Sequence, residues 1–382
     1  MFMLYVRIAN YIERMSKSFF DVPYEEQVIF LQKQCEPKND IQRSYLQYCC
    51  QMYFVRKKLF LLLNMASILL GPFLVFFYYL KGLTLKSKEK IDAVADFKRM
   101  PEILPKELAE EYDVDYEVAM QGGMLTFNDI EYIVGNFIKY WYAPYFVVKS
   151  VIKLSIYSYT IYTYSPRSII VHSESAFTSS AMTDYCHYRN VKHIDVLHGE
   201  KVFYIRDSYF HFDECYVWNE YYVSLFKQMR AEPSQFRVSV PSSMKINSIL
   251  YENPNLFANY KYFLQGCVEA ELVQIKESMR FVLAEGKTIK YRPHPMYSDM
   301  KMVERIFGKE SIEYPKEVSI LASISNMDVA VSSYSTVLNQ AIHAGKAILL
   351  DDVTFKTQYD KLKNLKYILA IQKYPVLSEK LN

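Results

Sequence analysis

Glycine is scarce in this chain of 382 residues, with 10 positions against 35 tyrosines and 24 phenylalanines, and no repeat, low-complexity tract or Gly/Ser linker interrupts it. Cysteine occurs six times, at Cys35, Cys49, Cys50, Cys186, Cys215 and Cys267, but never at the paired spacing of a zinc site or a disulfide framework, so neither is expected. An excess of one charge is missing too. The 45 basic and 42 acidic residues leave a net charge of +3, and no segment gathers the cations that a phosphate backbone demands, which excludes nucleic acid as a partner. The start, Met1-Phe2-Met3-Leu4-Tyr5-Val6-Arg7, lacks the basic segment, apolar core and cleavage site of a secretory signal, so an intracellular protein is expected.

What the chain does have is apolar content. At 51% hydrophobic and 23% charged, it can bury two domain cores and carry an extension besides. The aromatic richness suits amphipathic rings at a membrane interface, although compositional bias of the source genome accounts for tyrosine equally well. Leu59 to Leu80 is a run of 22 residues without a charge, preceded by Arg56-Lys57-Lys58 and followed by Lys81, Lys86 and Lys88. It is long enough to cross a bilayer. Cations at both ends give no orientation, however, and Gly71-Pro72 interrupts the middle. The reading is a re-entrant or interfacial hairpin of two short helices at an anionic surface. Two buried helices packed on the first domain are the alternative.

Three stretches of organisation follow. Residues 1–87 read as a helical extension, with Ile41 to Leu46 amphipathic and 59–80 membrane-associating. Residues 88–234 read as a Rossmann-like acceptor domain. Its strands are expected at Lys90–Phe97, Ser168–His172, His193–Leu197 and Glu214–Asn219, with helices over Ser175–Tyr188, capped by Ser173 or Ser175, and Tyr221–Met229. Residues 235–382 read as a second Rossmann-like domain. There the expected strands are Ser248–Tyr251, Thr288–Tyr291, Ser311–Tyr314, Met327–Val331 and Ala347–Leu350, with a long helix from about Gly266 to Ala284. The fold class is therefore α/β, with two such domains facing each other across a cleft.

Candidate chemistry sits at strand ends, where parallel sheets bind ligands. After His193–Leu197 comes His198-Gly199, the glycine allowing a sharp turn and the imidazole landing in the crevice. After Lys290-Tyr291 comes Arg292-Pro293-His294-Pro295, in which the prolines fix the backbone around a guanidinium and an imidazole. After Met327–Val331, Ser332, Ser333, Ser335 and Thr336 form the turn into a helix whose N–H groups suit an anion. Each motif alone reads equally well as a solvated strand end or an ordinary cap; their occurrence in consecutive βα units favours a phosphate site. Glu174 follows another strand end. Asp351-Asp352 reads as a solvated turn, and no metal is expected in catalysis.

His198-Gly199, Arg292-Pro293-His294-Pro295, and Ser332-Ser333 followed by Ala341-Ile342-His343-Ala344-Gly345-Lys346-Ala347 resemble the motifs of bacterial surface-polysaccharide transferases of GT-B fold. These include the CDP-glycerol glycerophosphotransferases of teichoic acid synthesis and the HP-motif sialyl- and polysialyltransferases. The resemblance covers roughly residues 90–350. It implies that His294, Ser332 and Ser333 hold the phosphate of a cytidine nucleotide donor, CMP- or CDP-linked, with Arg292 as an added cation. It also implies that His198 is catalytic; Gly199 and Glu174, at strand ends of the same domain, are expected at the acceptor cleft. The acidic Asp/Glu-Asp/Glu-Gly motif of the sialyltransferases is absent, since Glu174 has no partner glycine.

The function expected is transfer from a nucleotide-activated donor to a glycan or lipid-linked acceptor of a capsule, lipopolysaccharide or teichoic acid, at the inner face of the membrane, with no cofactor. A UDP-linked sugar is the near variant. A nucleotide-sugar hydrolase or epimerase, which would need a further acid at the cleft, and a non-catalytic export or assembly partner stay open.

Overall fold

The computed structural model describes residues 11, 17–84, 90–97, 101–118, 120, 123–246 and 251–381. The expected strand at Ser248–Tyr251 lies, but for its last residue, outside them. The chain forms two units, Met1–His198 with Phe203–Val240, and Gly199–Val202 with Pro241–Asn382.

The first unit begins with helices α1 (Tyr24–Gln32), α2 (Asp40–Met52) and α3 (Lys57–Gly82). Then come β1 (Ala93–Ala95), α4 (Lys106–Glu111), β2 (Val114–Asp115), α5 (Phe127–Phe137), α6 (Pro144–Tyr164), β3 (Ser168–Val171) and α7 (Ser179–Tyr188). β4 (Lys192–Val196), β5 (Glu214–Val217), α8 (Glu220–Gln228) and β6 (Phe236–Val238) complete it. The six strands pair in parallel in the order β2-β1-β3-β4-β5-β6. Ile170, Ile194 and Val196 are withdrawn from water in its core, each such side chain contributing about 1.5–3 kcal/mol.

In the second unit, β7 (Ala258–Phe263), α9 (Glu269–Ser278), α10 (Arg280–Ala284), β8 (Ile289–Arg292), α11 (Met300–Phe307), α12 (Ile320–Ser325), β9 (Met327–Ser332), α13 (Thr336–His343) and β10 (Ala347–Leu350) follow one another. Its four strands are parallel in the order β10-β9-β7-β8, over a core that includes Tyr262, Ile275, Val331 and Leu349. Both sheets thus start at an inner strand, step once outward, and return to grow on the other side. In such doubly wound sheets the ligand crevice opens at the carboxyl ends where the winding reverses. Here that is between β1 and β3 in the first unit, and between β7 and β9 in the second.

The α/β class and the two Rossmann-like units are those expected from the sequence, and several boundaries differ. β6 hydrogen-bonds to β5, so the first unit runs through Val240 rather than ending at 234. Ser311–Tyr314 contributes a single bridge, Tyr291 to Ile312, and the long helix before Gly286 is broken into α9 and α10. The N-terminal helices are part of the first unit rather than an appendage. The Gln27 side-chain Oε1 accepts from the Ile205 amide at 3.1 Å, and the Ala181 amide donates to the Ser44 hydroxyl at 2.7 Å.

The largest difference is at 59–80. α3 is one continuous helix, with no hairpin at Gly71-Pro72. Proline removes one helical hydrogen bond at a cost of about 3 kcal/mol, and packing along α6 offsets it. A Cβ on Gly71 would stand 2.6 Å from Val148 Cγ2; the glycine is there for close approach, not for breaking the helix.

Candidate functional site

In the second unit, a cavity of about 480 Å³ opens at the carboxyl ends of β7, β8 and β9. Its size falls in the range of about 300–1,000 Å³ that small-molecule sites occupy. Arg292, His294, Ser335 and Thr336 all line it, joined by Gln265, Tyr297, Tyr334 and Glu200. The Ser335 hydroxyl caps α13 by accepting from the Val337 amide at 3.3 Å, so the N–H end of that helix is presented to the cavity, where its dipole favours an anion.

His294 is held in a defined state. Its Nδ1 accepts from the Met296 amide at 3.1 Å, its own amide donates to Ser298 at 2.8 Å, and its ring stacks on Tyr297 at 4.4 Å. With Nδ1 occupied as an acceptor, the neutral ring carries its proton on Nε2. Burial lowers the imidazole below its ordinary value, since desolvation penalises the charged form. It is suited to donate one hydrogen bond to a phosphate oxygen without bringing a full charge.

Arg292, expected as an added cation, lines the cavity and is held from behind. It is 7% exposed, donates to Glu313 Oε1 at 2.8 Å and to the Val318 carbonyl at 2.8 Å. Lys261, fully buried on β7, reaches the other oxygen of the same carboxylate at 2.5 Å. Two cations therefore share one acid behind the cavity wall, where Arg292 is the lining member of the three. Burial also pulls the Lys261 amine below its usual range, against the pull of Glu313.

Ser332 and Ser333 stand apart from the cavity. β9 runs one residue further than the sequence reading, Ser332 pairing with Leu350, and the Ser332 hydroxyl donates to the Phe263 carbonyl at 3.0 Å. The turn that faces the ligand space is therefore Tyr334–Thr336. Tyr334 and Glu200 carried no sequence signal: the Tyr334 hydroxyl donates to the Glu200 carbonyl at 3.4 Å, and Asn339 donates to the Glu200 carboxylate. Asp351 is no solvated residue. It is buried, accepting from Tyr262 and from the Val353 and Thr354 amides at 3.0 and 2.8 Å. Asp352 accepts from the Ser378 hydroxyl at 2.6 Å.

In the first unit, His198 follows β4 and Glu174 follows β3. Their Nδ1 and Oε1 atoms are 3.9 Å apart, and Glu174 is 1% exposed. The His172 ring stands 4.6 Å from that of His198. α7 starts at Ser179 rather than Ser175 because the preceding residues are committed elsewhere. The Ser173 amide donates to Asp195 at 2.7 Å, the Ser179 hydroxyl to the Ser173 carbonyl at 2.6 Å, and Gln47 to the Glu174 carbonyl at 2.8 Å. That loop turns the Glu174 carboxylate inward, toward His198. Gly199 has no positive φ, and a Cβ there would meet nothing within 4 Å, so the turn does not require glycine. Among the described residues no group of three or more His, Cys, Asp or Glu side chains could hold a metal ion.

No family model matches this chain, and no curated protein does. Several solved structures are similar to it. The wall teichoic acid polymerase TagF is 10% identical, with a TM-score of 0.39 over 75% of this chain and 76% of that one. The S. aureus MnaA–UDP complex is 12% identical, with a TM-score of 0.43 over 69% and 79%. The UDP-GlcNAc 2-epimerase of Methanocaldococcus jannaschii is 11% identical, with a TM-score of 0.42 over 75% and 92%.

Proposed function

We propose that this protein is a transferase that takes a nucleotide-activated donor, CMP- or CDP-linked, and builds a bacterial cell-surface polysaccharide at the inner face of the membrane. The observation that carries this reading is the cavity at the winding reversal of the second sheet, where His294, the start of α13 and the Arg292 guanidinium meet. In the reaction, the acceptor hydroxyl gives its proton to His198 while its oxygen bonds to the transferred group. The bond from that group to the nucleotide phosphate breaks, and the electron pair leaves on the phosphate oxygen. His294 Nε2–H and the α13 N-terminus stabilise that departing charge. Glu174 beside His198 favours the imidazolium that forms. No step calls for a metal, so chelation with EDTA should leave transfer intact.

A second reading has one observation in its favour. Glu200 lines the cavity, and an acid there is what a nucleotide-sugar hydrolase or epimerase would need. Incubation with nucleotide sugars and no acceptor separates the two, because hydrolysis or epimerisation proceeds without one. The main test is a binding panel of CMP, CDP, UMP, UDP and GDP by thermal shift, followed by His198→Ala and His294→Ala in a transfer assay. Stabilisation by cytidine nucleotides and loss of transfer in both folded variants are expected. Stabilisation by uridine nucleotides alone would overturn the cytidine assignment.

A further inference from the structure

Helix α3 reverses the usual arrangement of a surface helix. Its polar side chains turn to the protein or are satisfied within the helix. Asn64 Oδ1 accepts from the Tyr145 amide at 3.2 Å, and the buried Ser67 hydroxyl donates to the Leu63 carbonyl at 2.7 Å. Leu63 and Leu74 pack inward, but most of its large apolar side chains turn outward, with Leu69, Phe73 and Phe76 exposed by 65, 65 and 62%. The helix carries no acid, and its cations stand at the ends, Arg56, Lys57 and Lys58 at one and Lys81 at the other. Beside it, a cavity of about 700 Å³ is walled mainly by carbon from α3, α5 and α6, with Ile68, Val75, Ile130 and Val147 facing it and Trp141 at its side.

By length and composition α3 could cross a bilayer. A crossing helix, however, needs hydrocarbon or partner helices around it through the whole thickness of the membrane. α3 is instead fastened to the first unit along one stripe. Asn64 bonds to the start of α6, Gly71 abuts Val148, the Tyr78 carbonyl accepts from the Leu125 amide at 3.0 Å, and Gly82 lies against the Leu125 carbonyl. The attachments run nearly end to end, so the globular unit goes wherever the helix goes.

We infer that α3 and its groove form a one-leaflet anchor for an anionic bilayer: the helix lies in the plane of the headgroup boundary, and the groove takes up an acyl chain of an anionic lipid. This rests on the membrane-surface placement proposed above and gives it an orientation and a lipid class. An in-plane helix buries its apolar face at the acyl boundary while terminal cations stay with the headgroups, and an exposed aromatic such as Trp141 suits the same depth.

The chain reports on this by itself. It has two tryptophans; Trp141 is 77% exposed and lines the groove, and Trp218 is 3% exposed within the core. The full chain should sediment with vesicles containing phosphatidylglycerol, and by about tenfold or more in preference to pure phosphatidylcholine, given four cations near the surface. Brominated lipids should quench Trp141 most strongly when bromine is near the headgroup end of the acyl chain. Leu69→Glu/Phe73→Glu/Phe76→Glu should abolish sedimentation while leaving the urea midpoint and CDP binding in place. If that variant fails to fold, quenching in the native chain decides alone. No binding to either vesicle, equal binding to both, or strongest quenching by bromine at the chain ends, as for a crossing helix, overturns the inference. Vesicle binding with no nucleotide binding would sink the transferase reading and leave the anchor standing.

Discussion

Arg292 Nη1 lies 2.8 Å from Glu313 Oε1, and both side chains are almost entirely withdrawn from water. Glu313 is also the counter-ion of buried Lys261. Glu313→Gln therefore leaves two buried cations without an acid, and removing one partner of a buried ion pair typically costs about 3–5 kcal/mol. An unfolding free energy lowered by that amount in urea denaturation is the expected result. A change under about 1 kcal/mol would mean that the carboxylate does not hold the cavity wall together.

Two glycines make opposite predictions. A Cβ on Gly82 would come 2.2 Å from the Leu125 carbonyl oxygen, a backbone atom with no freedom to move aside, so Gly82→Ala should lower stability by about 1–3 kcal/mol. Gly199 has open space at the same position, and Gly199→Ala should stay within about 0.5 kcal/mol of the parent. Parallel thermal melts of the two variants check both.

Acid should destabilise the first unit through His193. Its ring is fully buried, with Nε2 2.9 Å from the Tyr157 hydroxyl and Nδ1 2.8 Å from the Thr183 hydroxyl. Burial holds it well below the ordinary imidazole value of 6.5. Below pH 6.5 the unfolded chain takes up a proton that the folded chain refuses, so stability falls as pH drops, by at most about 1.4 kcal/mol per pH unit for this group. Urea titrations from pH 7.5 to 5 should show that slope, and His193→Gln should flatten it.

Within the cavity, His294→Ala should weaken CDP binding by about 1.5–3 kcal/mol, the range for a hydrogen bond to a charged group. Ser332→Ala should not weaken it, because that hydroxyl is spent on Phe263. Titration calorimetry on the two variants separates the imidazole from the serine as phosphate ligands. Equal losses would mean that the cavity is not where the nucleotide binds.

The parallel sheets were legible because strands such as Ile169-Ile170-Val171 and Ala347–Leu350 are short apolar runs bounded by turns, and because their ends carry unusual polar dipeptides. His294 and Ser335 could be found for the same reason, lying two and three residues past the ends of such strands. What sequence could not show was direction. Whether Arg292 points into the cavity or back to an acid depends on Glu313, 21 residues on, and nothing local encodes that pairing. Glu200 was illegible in the same way, since its carboxylate finds Asn339 across 139 residues. Gly71-Pro72 misled because the pair usually breaks helices, and only the approach of Val148 explains why it does not here.

The grouping of Gly199–Val202 with the second unit, while Phe203–Val240 returns to the first, has a consequence for biosynthesis. Glu200 leaves the ribosome long before Tyr334 and Asn339 exist, so its side of the cavity waits for nearly the whole remaining chain to emerge. No single cut releases a complete second unit: a fragment starting at Pro241 would be made without the tetrapeptide, and ligand measurements on it would describe a cavity missing one of its walls.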